Sequence, residues 1–476
     1  MSELSSDRVS TARKLADRKI ERCATGVAEL DAILGGGLPK GSLILLSGNA
    51  GSGKTILSTQ FLHNGATKYG EKGIYASFAE NRDAYFRNML TLGLDMRSLE
   101  EKGLFKFMDF SVMTEVGMEN VLDMIMSEVD KSGVKRLAVD SISAILQDFG
   151  DAAESRQLLR MLFGKVVKNM GVTTLLIGEI PFGEFKSGFG VEEFVADGLI
   201  FLRTSGKAGE GTVERRTLNV AKMRGVSLGR STFEYLIDER YNGLGIIALP
   251  AKAGAMTAPE DRLSSGVEGL DKMLHGGVYR DSITLVEGMA GIGKTTLCLQ
   301  FLVAAAEKGE TSLFISFEEP IGQIRRMLKG FGIDYERHGD RFIIQSYVPE
   351  ALTPLHYYGL LRGVLEDFRP SVLVIDTVTA MNNTLSGEDF ASFMRYLQLL
   401  CKEKHLTVFL TSTMGTLVMS RESGVSTLAD NIFVMRYREL ENMMTREVFV
   451  MKTRGSPHEK RVASFEITGK GMVVQA

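Results

Sequence analysis

Short apolar runs alternate with helix-length stretches along the whole chain. The runs are SLILLSG, GIYASF, RLAVD and TTLLIG in the first half, and SITLVEG, SLFISF, SVLVID and LTVFLTS in the second. Nearly continuous apolar runs of this length are typical of strands that are buried on both faces of a parallel sheet. Because helices must then cover both faces, the pattern predicts an α/β fold with mostly parallel, twisted sheets flanked by helices.

The pattern occurs twice, which indicates that one ancestral domain was duplicated. The segment GVAELDAILGGGLPKGS, which starts at Gly26, returns as GVEGLDKMLHGGVYRDS from Gly266. Between the copies, the stretch that follows Ala248 collects Pro, Gly, Ala and Ser without apolar periodicity, as a linker does. We predict an N-terminal extension at 1–24, a first domain at 25–249, a linker at 250–264 and a second domain at 265–476.

Each copy has a glycine-rich phosphate-binding pattern, or P-loop, between an apolar run and a helix-length stretch. Glycines let backbone N–H groups turn toward phosphate oxygens at the start of a helix, the lysine reaches the β- and γ-phosphates, and the hydroxyl serves Mg²⁺. Two such patterns at matching places in the two copies make a chance match negligible. We predict that ATP is bound by Gly48, Asn49, Ala50, Gly51, Ser52, Gly53, Lys54 and Thr55, and by Gly288, Met289, Ala290, Gly291, Ile292, Gly293, Lys294, Thr295 and Thr296.

An aspartate ends a later apolar run in both copies. These residues are Asp140 in RLAVD and Asp376 in SVLVID. A single aspartate at such a position is more often a helix cap, but one downstream of a P-loop in both copies favours a place beside Mg²⁺. The predicted Mg²⁺ ligands are Thr55 and Asp140 in the first copy, and Thr295 and Asp376 in the second.

The composition disfavours several other classes of protein. The chain has 476 residues, 44% of them hydrophobic, and a formal net charge of -3, so no strong positive field draws it to nucleic acid. Its cysteines, Cys23, Cys298 and Cys401, are far apart, which argues against a disulfide framework or a zinc site. The N-terminal residues are polar, and no apolar run approaches the roughly 18 residues of a membrane span. We expect a cytoplasmic protein.

The residues around the P-loops resemble a known family. The run T/S-G-V-x-x-L-D-x-x-L-x-G-G before each P-loop is similar to the RecA, RadA and KaiC superfamily, in which the KaiC family carries two such domains in one chain. The ends of the copies resemble that family too, with GVEEFVADGLIFLR and NVAKMRGVS in the first, and GVSTLADNIFVMR and FVMKTRGSPH in the second. The resemblance implies two tandem RecA-like domains that bind ATP and assemble into a double-ring homohexamer. It also implies ATP hydrolysis in the first domain, serine/threonine autokinase activity in the second, and a signalling partner such as a KaiB-like protein.

The resemblance further implies carboxylates that activate the attacking nucleophile at the end of the next strand. The family normally has two glutamates here, and the first is credited as the base, but the first copy has Ala79 in that place. The first domain can therefore hydrolyse ATP slowly, rely on Glu80, or serve mainly to hold ATP and the hexamer together. The predicted catalytic groups are Glu80, Glu318 and Glu319, together with the P-loop lysines Lys54 and Lys294.

Near the end of each copy, two basic residues are separated by one other residue. They are Lys222 and Arg224 in the first copy, and Lys452 and Arg454 in the second. On a strand this spacing puts both side chains on one face. In KaiC-like rings these positions reach the γ-phosphate of the neighbouring subunit, so the resemblance implies nucleotide contacts in trans. The alternative is a solvated strand edge that carries charges.

Neighbouring hydroxyls occupy one segment of the second copy only. Ser426 and Thr427 stand where the first copy has Glu193 and Phe194. A Ser-Thr pair by itself is usually a turn or a cap. Because the KaiC family carries its autophosphorylated serine and threonine in this segment, the resemblance implies that Ser426 and Thr427 accept phosphate.

Two other functions stay open. A DNA-handling ATPase like RecA or RadA would bind DNA in a salt-dependent way, but the near-neutral charge and the lack of a basic module in the sequence disfavour it. A non-catalytic scaffold gated by nucleotide would bind ATP tightly without turnover, and Ala79 favours this alternative.

Overall fold

The structure, a computed structural model, describes residues 21–111, 118–143, 170–180, 196–205, 215–229, 231–246, 259–347, 353–413, 428–440 and 443–475. The chain divides into two compact units. The described part of the first unit runs from Glu21 to Ile246, and that of the second unit from Pro259 to Gln475. Each unit contains one copy of the repeat.

The described part of the first unit begins with a short strand and then alternates helices with strands. In chain order its elements are β1 (Arg22–Cys23), α1 (Ala28–Ile33), β2 (Leu38–Pro39), β3 (Leu43–Gly48), α2 (Lys54–Tyr69), β4 (Gly73–Ser77), α3 (Arg82–Leu90), α4 (Met96–Glu101), β5 (Phe105–Asp109), α5 (Met118–Ser132), β6 (Arg136–Asp140), β7 (Thr173–Glu179), β8 (Gly198–Ser205), β9 (Arg215–Met223), β10 (Thr232–Asp238), a 3₁₀ turn (Glu239–Tyr241) and β11 (Gly243–Ile246).

One nine-stranded sheet organises the described residues of this unit, in the order β11-β10-β9-β8-β3-β7-β6-β4-β5. The strands from β8 to β5 are parallel to one another, and β9, β10 and β11 extend the sheet as antiparallel strands. The P-loop strand β3 therefore lies inside the sheet, between β7 and β8. Strands β1 and β2 form a separate antiparallel pair.

Strand β3 shows why this sheet needs cover on both faces. Successive side chains of a strand point to opposite faces, and this strand has no charged position. Ile44 and Leu46 pack with Phe61 of α2 in one core. Leu45 packs with Ile125 of α5 in a core on the other face.

The second unit repeats the same succession. Its elements are β12 (Arg262–Leu263), α6 (Glu268–Met273), β13 (Val278–Tyr279), β14 (Ile283–Gly288), α7 (Lys294–Glu307), β15 (Ser312–Ser316), α8 (Ile321–Gly330), a 3₁₀ segment (Tyr335–Arg341), β16 (Phe342–Ser346), α9 (Pro354–Phe368), β17 (Val372–Asp376), α10 (Val378–Thr384), α11 (Gly387–Glu403), β18 (Thr407–Thr413), β19 (Asn431–Leu440), β20 (Met443–Thr453), β21 (Ala463–Thr468) and β22 (Gly471–Gln475).

Its nine-stranded sheet matches the first sheet position by position, in the order β22-β21-β20-β19-β14-β18-β17-β15-β16. Val286 of the P-loop strand packs with Phe301 of α7 in one core. Leu285, the neighbour that points to the opposite face, is also fully buried. Helices α9 and α11 pack through Tyr357 and Phe393, whose ring centroids are 5.7 Å apart.

These two units confirm the predicted fold class, two tandem RecA-like α/β domains with mostly parallel sheets. The first paired strands, β1 and β12, lie slightly before the predicted domain starts at 25 and 265. The reason is burial, because Cys23 and Leu263 of these strands belong to the cores of the units that follow them. None of the described helices combines the length and apolar character that crossing a membrane requires.

Candidate functional site

Each P-loop joins the P-loop strand of its sheet to a helix that begins at the lysine, Lys54 in α2 and Lys294 in α7. The residue before the lysine has a positive φ, 87° at Gly53 and 119° at Gly293. This backbone conformation favours glycine, because a Cβ atom would be strained there. The turn leaves the free N–H groups of the helix start directed at the loop, where they suit a phosphate.

The two lysine side chains fold back over their loops in the same way. Lys54 Nζ donates hydrogen bonds to the carbonyl oxygens of Gly48 and Asn49 at 2.9 and 2.8 Å. Lys294 Nζ makes the corresponding bonds in the second unit at 2.9 and 3.0 Å. Burial lowers the pKa of both lysines, while nearby carboxylates oppose that shift. Each ammonium group therefore lies within the loop that would hold the phosphates.

The P-loop threonine contacts the strand-ending aspartate in both units. Thr55 Oγ1 donates to Asp140 Oδ2 at 2.8 Å, and Thr295 Oγ1 donates to Asp376 Oδ2 at 2.8 Å. Neighbouring ligands of an octahedral Mg²⁺ ion with bonds of about 2.1 Å lie about 3 Å apart. The oxygen-only donor pair and its spacing therefore fit Mg²⁺ in each unit.

A second hydroxyl donates to each of these aspartates, and it comes from a different strand in each unit. Tyr75 of β4 donates to Asp140 Oδ2 at 2.5 Å, and Thr411 of β18 donates to Asp376 Oδ1. Burial raises the pKa of Asp376, and its hydrogen bonds from Thr411 and Thr295 oppose that rise. Neither donor stands out as a site residue in the sequence. The available signal is a strand-by-strand comparison, in which GIYAS has a tyrosine where SLFIS has a phenylalanine.

The predicted carboxylates follow β4 and β15 in a turn that a serine holds. Ser77 Oγ accepts from the backbone N–H of Glu80 at 3.1 Å, and Ser316 Oγ accepts from that of Glu319 at 2.8 Å. Glu80 Oε1 also accepts from Asn88 Nδ2 at 2.6 Å, whereas Glu319 Oε2 is buried without a hydrogen-bond partner among the described residues. Burial raises the pKa of both glutamates.

In each unit a further carboxylate opposes the lowering of the P-loop lysine's pKa. The two carboxylates come from strands that do not correspond. Glu318 is exposed and, together with the aspartate, opposes the lowering of the Lys294 pKa. The first unit has Ala79 at this position, and there Glu179 at the end of β7 is the carboxylate that most strongly opposes the lowering of the Lys54 pKa. The sheet register places Glu179 beside the first glycine of the P-loop. The sequence gives no motif for Glu179, since it depends on the pairing of β3 with β7.

Comparison with known proteins agrees with this geometry. A family model described as "ATPase: KaiC" matches residues 23–251 and 263–476. The chain is 32% identical to the circadian clock oscillator protein KaiC of Thermostichus vulcanus, over 98% of this chain and 91% of that protein. It is 32% identical to the protein of the same name from Parathermosynechococcus lividus, over 96% of this chain and 86% of that protein.

This chain belongs to the KaiC family of ATPases. The predicted resemblance is thereby confirmed over nearly the whole chain. Because the family model matches twice, the duplication predicted from the repeated segments is confirmed as well.

In this KaiC-family chain, the first pair of basic residues lies at the end of the sheet opposite the P-loop, where the P-loop strand begins. Lys222 Nζ donates to Ala196 O at 2.9 Å, and Arg224 forms an ion pair with Asp197 at 2.7 Å. Asp197 also accepts from the backbone N–H of Leu43, the first residue of the P-loop strand, at 3.1 Å. The length of that strand, roughly 16 Å, separates this end of the sheet from the loop. The structure therefore does not bring these cations to the P-loop of their own unit.

The second unit has the same arrangement. Lys452 Nζ donates to Ala429 O at 2.7 Å, and Arg454 pairs with Asp430 at 3.2 Å. Asp430 accepts from the backbone N–H of Ile283, which begins β14, at 3.0 Å. The lysines lie on β9 and β20, but both arginines lie just past the strand ends, where the prediction had them on the strand.

The predicted phosphoacceptors Ser426 and Thr427 lie outside the described residues. The same holds for Glu193 and Phe194, which were compared with them. Their role stays a prediction from the family resemblance.

Proposed function

We propose that this protein binds one ATP with Mg²⁺ at each P-loop and hydrolyses it. The contact between the P-loop threonine and the strand-ending aspartate carries the proposal, since it occurs in both units at 2.8 Å. It puts two hard oxygen ligands close to the loop that holds the lysine ammonium. A Mg²⁺ ion held by these residues would neutralise charge on the β- and γ-phosphate oxygens.

Removal of either lysine tests the two sites separately. Lys54→Ala and Lys294→Ala should each lose roughly a quarter to a half of the bound nucleotide when ATP is set about tenfold above the wild-type dissociation constant. The reason is that a hydrogen bond to a charged group is worth about 1.5–3 kcal/mol, or roughly 10- to 150-fold in affinity. Full nucleotide content in either variant would show that this loop is not a nucleotide site.

We further propose that the second domain transfers the γ-phosphoryl group of its ATP to Ser426 and Thr427. Support comes from the family resemblance in this segment and from the exposed carboxylate of Glu318 near Lys294. Glu318 would accept the hydroxyl proton while the serine or threonine oxygen forms its bond to phosphorus and the bond to ADP breaks. Lys294 and the Lys452 of a neighbouring subunit would balance the charge on the transferred group.

Intact-mass measurement after incubation with ATP and Mg²⁺ tests the kinase proposal. The double variant Ser426→Ala/Thr427→Ala should gain no phosphoryl group, while nucleotide binding persists at both sites. A matched double variant in the first copy, Glu193→Ala/Phe194→Ala, should be phosphorylated like the wild type. Undiminished phosphorylation of the first variant, or none in the wild type, would contradict autophosphorylation but leave the ATPase proposal standing.

We also propose a ring of six subunits in which the basic residues complete the neighbour's site. The support is that Arg224 and Arg454 lie at the end of the sheet remote from the P-loop of their own unit, each paired with an aspartate. ATP bound between subunits stabilises the ring by mass action, because it binds the assembled form more tightly. The arginines would then exchange their aspartate partner for a γ-phosphate oxygen.

Light scattering with and without ATP tests this assembly. We expect a hexamer at micromolar protein with saturating ATP and smaller species without it. Arg224→Ala/Arg454→Ala should weaken the ATP-induced assembly, whereas Lys40→Ala should not, although Lys40 is also an exposed cation with a carboxylate partner at 3.0 Å. A wild-type monomer with saturating ATP would contradict the ring.

A nucleotide-holding role is a second candidate for the first domain, and Ala79 favours it. Such a domain would keep the ring assembled while the second domain changes its phosphorylation state. A signalling partner such as a KaiB-like protein would then distinguish the two states. Equal binding of a KaiB-like protein to the phosphorylated wild type and to Ser426→Ala/Thr427→Ala would contradict that partnership.

A further inference from the structure

Each strand-ending aspartate has a second hydroxyl donor that is buried behind the P-loop. Tyr75, which is 1% exposed, donates to Asp140 Oδ2 at 2.5 Å. Thr411, which is fully buried, donates to Asp376 Oδ1. The donors reach the aspartate strand from opposite sides, because β4 and β7 flank β6, while β15 and β18 flank β17. Each aspartate is therefore held by the P-loop threonine and by one neighbouring strand.

The two donors have no hydroxyl counterpart in the other unit. Strands β4 and β15 pair with the aspartate strand in the same register, which makes Phe314 the counterpart of Tyr75. Strands β7 and β18 pair with the P-loop strand in the same register, which makes Ile177 the counterpart of Thr411. One unit thus has Tyr and Ile where the other has Phe and Thr. Each unit therefore has one such hydroxyl, from β4 in the first unit and from β18 in the second.

The surroundings of Tyr75 hold its ring in one place. Its centroid lies 4.7 Å from that of Tyr85 and 5.7 Å from that of Phe107, with which it is stacked. Tyr85 forms its own hydroxyl contact with Thr59 Oγ1 at 2.9 Å. Tyr75 therefore presents its O–H to the aspartate from a packed aromatic cluster, and little further ordering is required when a ligand binds.

We infer that Tyr75 and Thr411 are positioning residues for the Mg²⁺ site, Tyr75 through Oδ2 of Asp140 and Thr411 through Oδ1 of Asp376. Each would fix the rotation of its aspartate so that Oδ2 faces the P-loop threonine and the ion. The inference rests on the proposed binding of ATP with Mg²⁺. Partners that orient a metal-ligating carboxylate typically change metal affinity by about 10- to 100-fold when they are removed. Tyr75 and Thr411 act through the aspartate.

Binding of a fluorescent ATP analogue, titrated with Mg²⁺, tests this role without relying on turnover. In a Lys294→Ala parent the second site is weakened, so binding at a low analogue concentration should report the first site. Tyr75→Phe should raise the half-saturating Mg²⁺ concentration about tenfold, because the aspartate loses one of its two holding bonds. Addition of Ile177→Thr, which supplies the hydroxyl from the other strand, should bring that concentration back to within about threefold of the parent. Rescue from a second strand is not expected if Tyr75 only satisfies its own burial.

Tyr85→Phe is the matched control, because it removes a buried tyrosine hydroxyl that bonds to Thr59 rather than to the aspartate. It should leave the Mg²⁺ dependence unchanged. The second site provides an independent test in a Lys54→Ala parent, where Thr411→Val should raise the Mg²⁺ requirement in the same way. This second test decides the question if Tyr75→Phe does not fold.

An unchanged Mg²⁺ requirement in folded Tyr75→Phe, an equal change in the Tyr85→Phe control, or failure of the second hydroxyl to rescue would each overturn the inference. Absence of analogue binding in both parents at every Mg²⁺ concentration is a different result. It would overturn the proposed nucleotide sites, and this inference with them.

Discussion

The two repeats approach their P-loop lysines with carboxylates from different strands. The second repeat has Glu318 after β15 and Thr413 at the end of β18. In the first repeat the matching positions hold Ala79 and Glu179. The exchange of Tyr75 for Thr411 beside the aspartates follows the same rule. What the repeats share without change is the lysine, the P-loop threonine and the strand-ending aspartate, with equal threonine to aspartate distances.

A site at the ends of parallel strands can therefore receive the same kind of side chain, a carboxylate or a hydroxyl, from different neighbouring strands. The carboxyl ends of parallel strands converge at one edge of the sheet, where α/β proteins bind ligands. A carboxylate or hydroxyl from either neighbouring strand can reach nearly the same point there. The alanine at position 79 therefore separates the repeats in the identity of the carboxylate and in its geometry, while the contact between the P-loop threonine and the strand-ending aspartate is common to both.

The largest difference we expect concerns the second site. In a Lys54→Ala background, in which turnover should come mainly from the second site, Glu318→Gln should lower ATP turnover about 100-fold or more, since a general base contributes about 10²- to 10⁴-fold. Steady-state phosphate release measures the effect. Glu319→Gln in the same background should lower turnover less than about tenfold. Equal losses would mean that the two glutamates act as one unit and would contradict the larger role assigned to Glu318.

Installing the missing carboxylate should make the first site more like the second. In a Lys294→Ala background, Ala79→Glu should raise ATP turnover about tenfold, a part of what a fully placed base contributes. Ala79→Gln is the control for side-chain size and should leave the rate unchanged. No rise with glutamate would indicate that the first site already obtains its carboxylate elsewhere.

Glu179 is the residue that such a result would point to. In the Lys294→Ala background, Glu179→Gln should lower turnover about three- to tenfold. We expect a smaller effect than at Glu318, because Glu179 lies on the neighbouring strand beside the first glycine of the P-loop. The same substitution in the Lys54→Ala background should change little, since we expect the first site to contribute little turnover there. A loss in both backgrounds would mean that Glu179 acts on folding or assembly.

The fold and the shared groups were predictable from the sequence because they are encoded locally. The run RLAVD is the buried strand β6, and the P-loop spacing alone locates Lys54 and Lys294. The exchanged groups could not be found in this way. Tyr75 meets Asp140 only through the register of two strands whose residues are far apart in the chain. The remote position of the basic residues likewise depends on strand order, which a motif does not contain.

The smallest effect we expect is a pH-dependent difference between Glu319 and Glu80 in how far each glutamate lowers the stability of the fold. Burial, and then the charges of the aspartate and Glu318, raise the pKa of Glu319, and its Oε2 has no hydrogen-bond partner among the described residues. The charged form therefore costs stability above the raised pKa, and this cost vanishes as the pH falls below the ordinary glutamate value of 4.5. Glu319→Gln should raise the calorimetric Tm of the nucleotide-free protein by about 1–2 °C at pH 7.5, and the gain should disappear toward pH 4. Glu80→Gln should give a smaller gain, because the hydrogen bond from Asn88 already counteracts the rise in the pKa of Glu80. A gain of equal size at both pH values would show that packing, and not charge, distinguishes the two positions.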